Sequence, residues 1–203
     1  SDPAGYILFG RNIENREQLR RLTDELRALD GRANLPILID QEGGRVARMK
    51  SPEWPAFPSG AAFDALYERA PASAIEAARL NAMALAAMLS EVGITVDCLP
   101  LLDVRQPGAS DVIGDRALGS EPMRVAALGR AILSGLQDGG VVGIVKHIPG
   151  HGRALLDSHK ELPVVTAVDR DLQTDLAPFA ALRDAAMAMT CHVVFTAWDP
   201  DRP

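Results

Sequence analysis

The sequence predicts an α/β fold of the (β/α)8-barrel type, of which this chain covers about the first five β/α units. Short apolar runs alternate with helical patterns along the chain, the signature of βαβ units and a parallel sheet. Every apolar run ends in polar, chemistry-bearing residues rather than at one switch point, which favours a barrel over an open doubly wound sheet. No strand-to-helix turn carries a Gly-x-Gly-x-x-Gly phosphate loop, which weighs against nucleotide binding.

Residues 5–9 form the first strand. Asn15 offers a helix cap with Gln18 three residues on, and Leu19, Leu22, Leu26 and Leu29 recur at helical spacing until Gly31 stops the run. Residues 35–40 are the second strand; its unbroken apolar run indicates burial on both faces, and Gln41-Glu42-Gly43-Gly44-Arg45 follows it. Pro52, Pro55 and Pro58 mark a long connection, and the Ala-rich residues 73–92 read as the next helix, closed by Gly93. Residues 94–104 are the third strand, bearing Asp103 at its end, and 106–119 are loop. Ser120 is the expected cap of a helix over 122–136, residues 141–145 form the fourth strand, and a helix over 172–185 leads to a fifth strand over 187–196. An eight-stranded barrel needs roughly 250 residues. The expectation is therefore one barrel domain over residues 1–203 with its C-terminal part outside this sequence.

The chain has 203 residues, 47% hydrophobic and 24% charged, enough for one sizeable core and without a case for disorder. A net charge of -6 and the lack of a basic stripe argue against nucleic acid and anionic membranes as partners. A small-molecule or neutral polymer partner fits better. No apolar stretch reads as the ~18 residues of a membrane span, and the first residues lack the pattern of a signal peptide. Cys98 and Cys191 sit in apolar, strand-like runs and read as buried free thiols, which suits a reducing compartment and a cytoplasmic location.

Three of the four histidines lie in Lys146-His147-Ile148-Pro149-Gly150-His151-Gly152 and Asp157-Ser158-His159. Imidazole gives and takes a proton near neutral pH, and a carboxylate two residues away can fix its tautomer, so proton transfer is the first hypothesis. The rival reading of His147 and His151 is a metal pair, but Pro149 and Gly150 forbid the helix that an i, i+4 zinc site needs, and no Glu follows the first His. His151 is expected to shape the turn, and His192, among apolar residues, reads as a core histidine. At the strand ends, Asp40 and Asp103 are the naive pair for glycoside cleavage.

Four blocks make a more specific match: residues 39–48 (Ile-Asp-Gln-Glu-Gly-Gly-Arg-Val-Ala-Arg), Ile113-Gly114-Asp115-Arg116, residues 146–152, and Asp157-Ser158-His159. Their order and spacing resemble the β-N-acetylglucosaminidases of glycoside hydrolase family 3. The resemblance implies a retaining (β/α)8 hydrolase that removes terminal N-acetylglucosamine from muropeptides in bacterial cell-wall recycling, with no metal or organic cofactor. It implies that Asp157 and His159 form the acid/base pair, and that Asp40, Arg48, Arg116, Lys146 and His147 hold the sugar. A histidine with a pKa near ~6.5 suits the acid and base duties better than an Asp near ~3.9. Carboxylate accepts from ring hydroxyls, while Arg and Lys donate to hydroxyls and the acetamido carbonyl.

Asp103 gains no role from the resemblance and reads as a carboxylate bonded to loop backbone, while Arg45 is expected to pair with Glu42 or Asp115. Two positions depart from the family pattern. Arg153 stands where an acidic or small residue is common, and the family's nucleophilic Asp, on a strand beyond the fifth, has no match in this chain. The alternatives are a glycoside phosphorylase on the same substrates, since a histidine acid/base repels phosphate less than a carboxylate does, and a sugar-binding fragment without turnover.

Overall fold

Strands β1 (Tyr6–Leu8), β2 (Ile37–Ile39), β3 (Val96–Asp97) and β4 (Val142–Ile148) lie side by side and parallel in chain order. A short strand β5 (Val164–Val165) follows outside the sheet, and β6 (Met187–Thr190) then pairs with β4. β5 pairs with β7 (Val194–Phe195) in a separate two-stranded parallel ribbon. Neighbours that follow chain order without a reversal are what a β/α barrel requires. The connections are helices α1 (Arg16–Asp30), α2 (Gly60–Tyr67), α3 (Pro71–Glu91), α4 (Pro122–Asp138) and α5 (Asp169–Ala181). The computed structural model describes residues 3–156 and 161–203.

Side chains alternate across the strands and so divide the core. Ile37, Ile39 and Val145 join the large cluster between sheet and helices, which includes Leu19, Leu85, Leu89, Leu128 and Leu136. Val96, Cys98 and Ile144, with Leu38, Met187 and Met189, form a second cluster on the opposite face. That face leads to the site: Asp40 follows Leu38 by two residues, and Lys146 follows Ile144 by two. A third cluster, of Ala154, Val165, Leu172, Val193 and Phe195, packs the β5–β7 ribbon against α5.

The start of α1 follows its local signals. Asn15 accepts a bond from the Gln18 N–H at 2.9 Å, and Gly31 closes the helix in the left-handed conformation at φ 84°. Leu29, counted with the inward stripe, is exposed; the inward face is Leu19, Leu22 and Leu26. The cap of α4 is Glu121, whose carboxylate accepts from the Met123 and Arg124 N–H groups, one residue after the expected Ser120. A carboxylate can meet two free N–H groups at a positive helix end, which one hydroxyl does less fully.

The strands are mostly shorter than the apolar runs. Within residues 94–104 only Val96–Asp97 is regular, because the Leu99–Pro100 segment breaks the ladder before a bridge from Leu101 to Lys146 resumes it. β4 runs three residues further than expected, so Lys146 and His147 belong to the strand and not to the loop; the peptide between them is cis. The run over 187–196 divides into β6 and β7, and α2 occupies part of what reads as connection. By length and composition alone α3 could cross a membrane, contrary to the sequence expectation. Its buried residues Ala74, Ala78, Ala82, Leu85 and Leu89 instead join the core that α4 shares. Cys98 is buried and Cys191 half-buried, and both are free.

Candidate active site

The C-terminal ends of β2, β4 and β6 surround a cleft of about 520 Å³. Asp40, Glu42 and Arg48 enter it from the segment after β2, Arg116 from the segment after β3, Lys146 and His147 from β4, and His192 from the segment after β6. The segment after β2 is shaped by Gln41, which is buried. Its side-chain oxygen accepts from the Arg48 and Met49 N–H groups at 2.8 and 3.0 Å, and its amide donates to the Met49 carbonyl at 2.9 Å. Gly43, at φ 92°, runs so close to the Pro58 carbonyl that a Cβ would collide with it.

A row of alternating charge follows. Arg48 Nη2 meets Asp40 Oδ2 at 3.2 Å, Asp40 Oδ1 meets Lys146 Nζ at 3.0 Å, Lys146 Nζ meets Glu42 Oε1 at 2.6 Å, and Glu42 takes Arg116 in a two-pronged pair at 2.8 and 2.9 Å. Burial alone would neutralise these groups, but each sits against its opposite. Burial raises the carboxyl of Asp40, and Lys146 and Arg48 outweigh it, so its pKa lies below the ordinary value. Glu42 behaves likewise under Arg116 and Lys146. Burial lowers the Lys146 ammonium, yet Glu42 and Asp40 hold it above its usual range although its side chain is 1% exposed. The row therefore stays ionised at neutral pH.

Asp103 lies behind the cleft wall, wholly buried. It accepts from the His147 and His151 backbone N–H groups at 3.3 and 2.7 Å, and its second oxygen lies 2.7 Å from His147 Nδ1. Burial raises its carboxyl, but His147 and these bonds bring it below the ordinary value. The loop-backbone reading of Asp103 thus holds, and the carboxylate also fixes the His147 ring with Nδ1 turned to Asp103. His151 is buried, lines the cleft with its ring 6.0 Å from that of His147, and has its pKa lowered by burial against the opposing charge of Asp103.

All five expected sugar-binding residues, Asp40, Arg48, Arg116, Lys146 and His147, border the one cleft. Asp157 and His159 lie outside the described residues. His192 is exposed on the cleft rather than packed in the core, because β6 ends at Thr190 and the chain turns outward before β7. Arg45 pairs with Asp115 at 2.8 Å, the second of its two expected partners. Sequence reasoning overlooked Glu42 and the wholly buried Asp97. Asp97 accepts from the Gln41 N–H at 3.0 Å, and burial pushes its carboxyl well above the ordinary range. The Gln-Glu pair directly after a buried strand was the available signal for Glu42. Among the described residues no three of His, Cys, Asp and Glu gather as a metal site.

The family described as glycosyl hydrolase family 3 N terminal domain matches residues 3–203. A curated protein of Aromatoleum aromaticum named β-hexosaminidase is 40% identical over 201 residues, covering 98% of this chain and 56% of its own length. One of the same name from Bordetella avium is 40% identical over 195 residues, covering 95% of this chain and 55% of its own length. This chain thus spans just over half of those relatives. Among solved structures, NagZ from Neisseria gonorrhoeae in complex with N-trifluoroacetyl-D-glucosamine superimposes with a TM-score of 0.91 at 37% identity, covering 99% of this chain and 60% of that one. On the full-length family match and these relatives, the chain belongs to glycosyl hydrolase family 3 and carries the (β/α) barrel fold of its N-terminal domain.

Proposed function

We propose that this chain forms the sugar-recognising part of a β-N-acetylhexosaminidase. Its substrates are terminal β-linked N-acetylglucosamine units of peptidoglycan-derived muropeptides, cleaved with retention through a covalent glycosyl intermediate. The observation that carries the reading is the ionised row Arg48–Asp40–Lys146–Glu42–Arg116 at the C-terminal strand ends, beside His147. Such a row offers fixed acceptors and donors for hydroxyls and an acetamido group, its three cations largely offset by two carboxylates. The β-hexosaminidase names of the relatives and the N-acetylglucosamine-type ligand of the gonococcal protein support the same substrate class.

Within this reading Asp40 accepts from ring hydroxyls, Arg48, Arg116 and Lys146 donate, and His147, oriented by Asp103, presents its outer ring nitrogen to the sugar. His159 protonates the leaving oxygen and then deprotonates the attacking water, with Asp157 orienting it. The free thiols Cys98 and Cys191 support action in the cytoplasm.

The test is a chromogenic β-N-acetylglucosaminide offered to the full-length protein, with the anomer first released read by NMR. Cleavage with initial release of the β-anomer is expected. A folded protein that leaves the substrate intact refutes the activity, and initial release of the α-anomer refutes retention.

A further inference from the structure

We propose that Glu42 is a positioning residue: it holds Lys146 and Arg116 in place so that Asp40 keeps its carboxylate open to sugar hydroxyls. This rests on the reading of the cleft as an N-acetylglucosamine subsite. The two carboxylates of the row differ in what they have left to offer. Glu42 is 4% exposed at its side chain, and both oxygens are taken, Oε1 by Lys146 and Arg116 and Oε2 by Arg116. Asp40 is 18% exposed and meets one cation per oxygen, at the longer distances of 3.0 and 3.2 Å. Each carboxylate oxygen can accept about two bonds. Asp40 therefore retains one place on each oxygen, whereas Glu42 retains only one, on Oε2, and is the more deeply buried of the two.

Glu42 is itself firmly placed. Its N–H donates to the Val46 carbonyl at 2.9 Å, and it stands between Gln41, which clamps residues 48 and 49, and Gly43, which abuts Pro58. From there it ties the segment after β2 to Arg116 after β3 and to Lys146 on β4, three successive β/α units joined by one side chain.

Without its charge, Lys146 would keep only Asp40, and Arg116 only the Val112 carbonyl that its Nη1 meets at 2.9 Å. A buried cation that loses its partner seeks another. For Lys146 the remaining paired anion is Asp40, already shared with Arg48, and for Arg116 the remaining acidic groups that act on it are Asp103 and Asp40; Asp40 would be drawn onto Lys146 and lose lone pairs meant for the substrate.

The experiment is titration of N-acetylglucosamine into the full-length wild-type protein and its Glu42→Gln and Glu42→Asp variants, with circular dichroism to confirm folding. A general loss of fold lowers the fraction able to bind without changing the Kd of the molecules that remain folded. A positioning role raises Kd itself. Glu42→Gln is expected to weaken binding about tenfold or more, in line with the cost of unpairing a buried charge. A folded Glu42→Gln protein within about threefold of wild type overturns the proposal. If Glu42→Gln does not fold, Glu42→Asp decides: it keeps the charge but is too short to span both cations. A Kd raised by about threefold or more supports the proposal, and a Kd equal to wild type overturns it. A wild-type protein that fails to bind N-acetylglucosamine sinks the subsite reading and the proposal with it; wild-type binding with unaffected variants sinks the proposal alone.

Discussion

Arg153, in the loop after β4, forms an ion pair with Asp175 of α5, its Nε on Asp175 Oδ2 and its Nη2 on the Asp171 carbonyl at 3.1 Å. Asp175 is 2% exposed, and burial raises its carboxyl more than Arg153 lowers it. The residue that departs from the resembled family's pattern thus has a structural partner. Beside it, Gly152 passes so close to the Val104 carbonyl that a side chain would not fit.

Arg153→Ala should destabilise the protein by about 2–3 kcal/mol, below the full cost of breaking a buried pair because Arg153 is itself partly exposed. Urea unfolding measures this. The Arg153→Ala/Asp175→Ala double variant should lose less than the single, since it leaves no buried carboxylate without a partner; a larger loss in the double would contradict the pairing.

Stability should pass through a maximum at mildly acidic pH. Asp40, Glu42 and Asp103 have depressed folded-state values, so the stability they contribute is full above their unfolded values of about 3.9 to 4.3 and is lost as pH falls below them. Asp97 and Asp175 are raised, so they oppose folding at neutral pH and cease to do so as pH falls through their elevated values. Urea midpoints from pH 7 to pH 3 should rise and then drop below about pH 4. A midpoint still climbing at pH 3 would count against the depressed carboxylates.

Asp40→Ala removes the acceptor with free capacity and leaves Lys146 to Glu42. Affinity for N-acetylglucosamine should fall by about tenfold to a hundredfold, as for a lost charge-assisted bond of about 1.5–3 kcal/mol. Calorimetric titration reads it, and an unchanged Kd would exclude Asp40 from recognition.

His159→Ala in the full-length protein should lose most activity on substrates with poor leaving groups and much less on activated aryl glycosides, because only the former need a proton at departure. Equal losses on both would refute the acid role. Running the same assay with and without phosphate separates hydrolysis from phosphorolysis, which must release a sugar 1-phosphate.

What the sequence made legible was local or periodic. The Asn15–Gln18 cap spans three residues, and the alternation of Leu38 and Asp40, or of Ile144 and Lys146, follows from the pleat. Glu42 escaped because its partners lie 74 residues away at Arg116 and further still at Lys146, and nothing in Gln-Glu-Gly-Gly-Arg says that the adjacent Arg45 will turn to Asp115 instead. His192 was misread for a similar reason: apolar neighbours imply burial only if the strand continues, and here it breaks between Thr190 and Val194. The reach of β4 to Ile148 was hidden by Pro149 and Gly150, which suggest a loop sooner than the ladder with β6 ends.

Ala154 and Val165 meet in the same small apolar cluster with Leu172, Val193 and Phe195, so the segment after β4 is pinned at Ala154 to β5, α5 and β7. The cluster therefore works as a mounting that anchors the segment after β4 at Ala154 independently of the charged row.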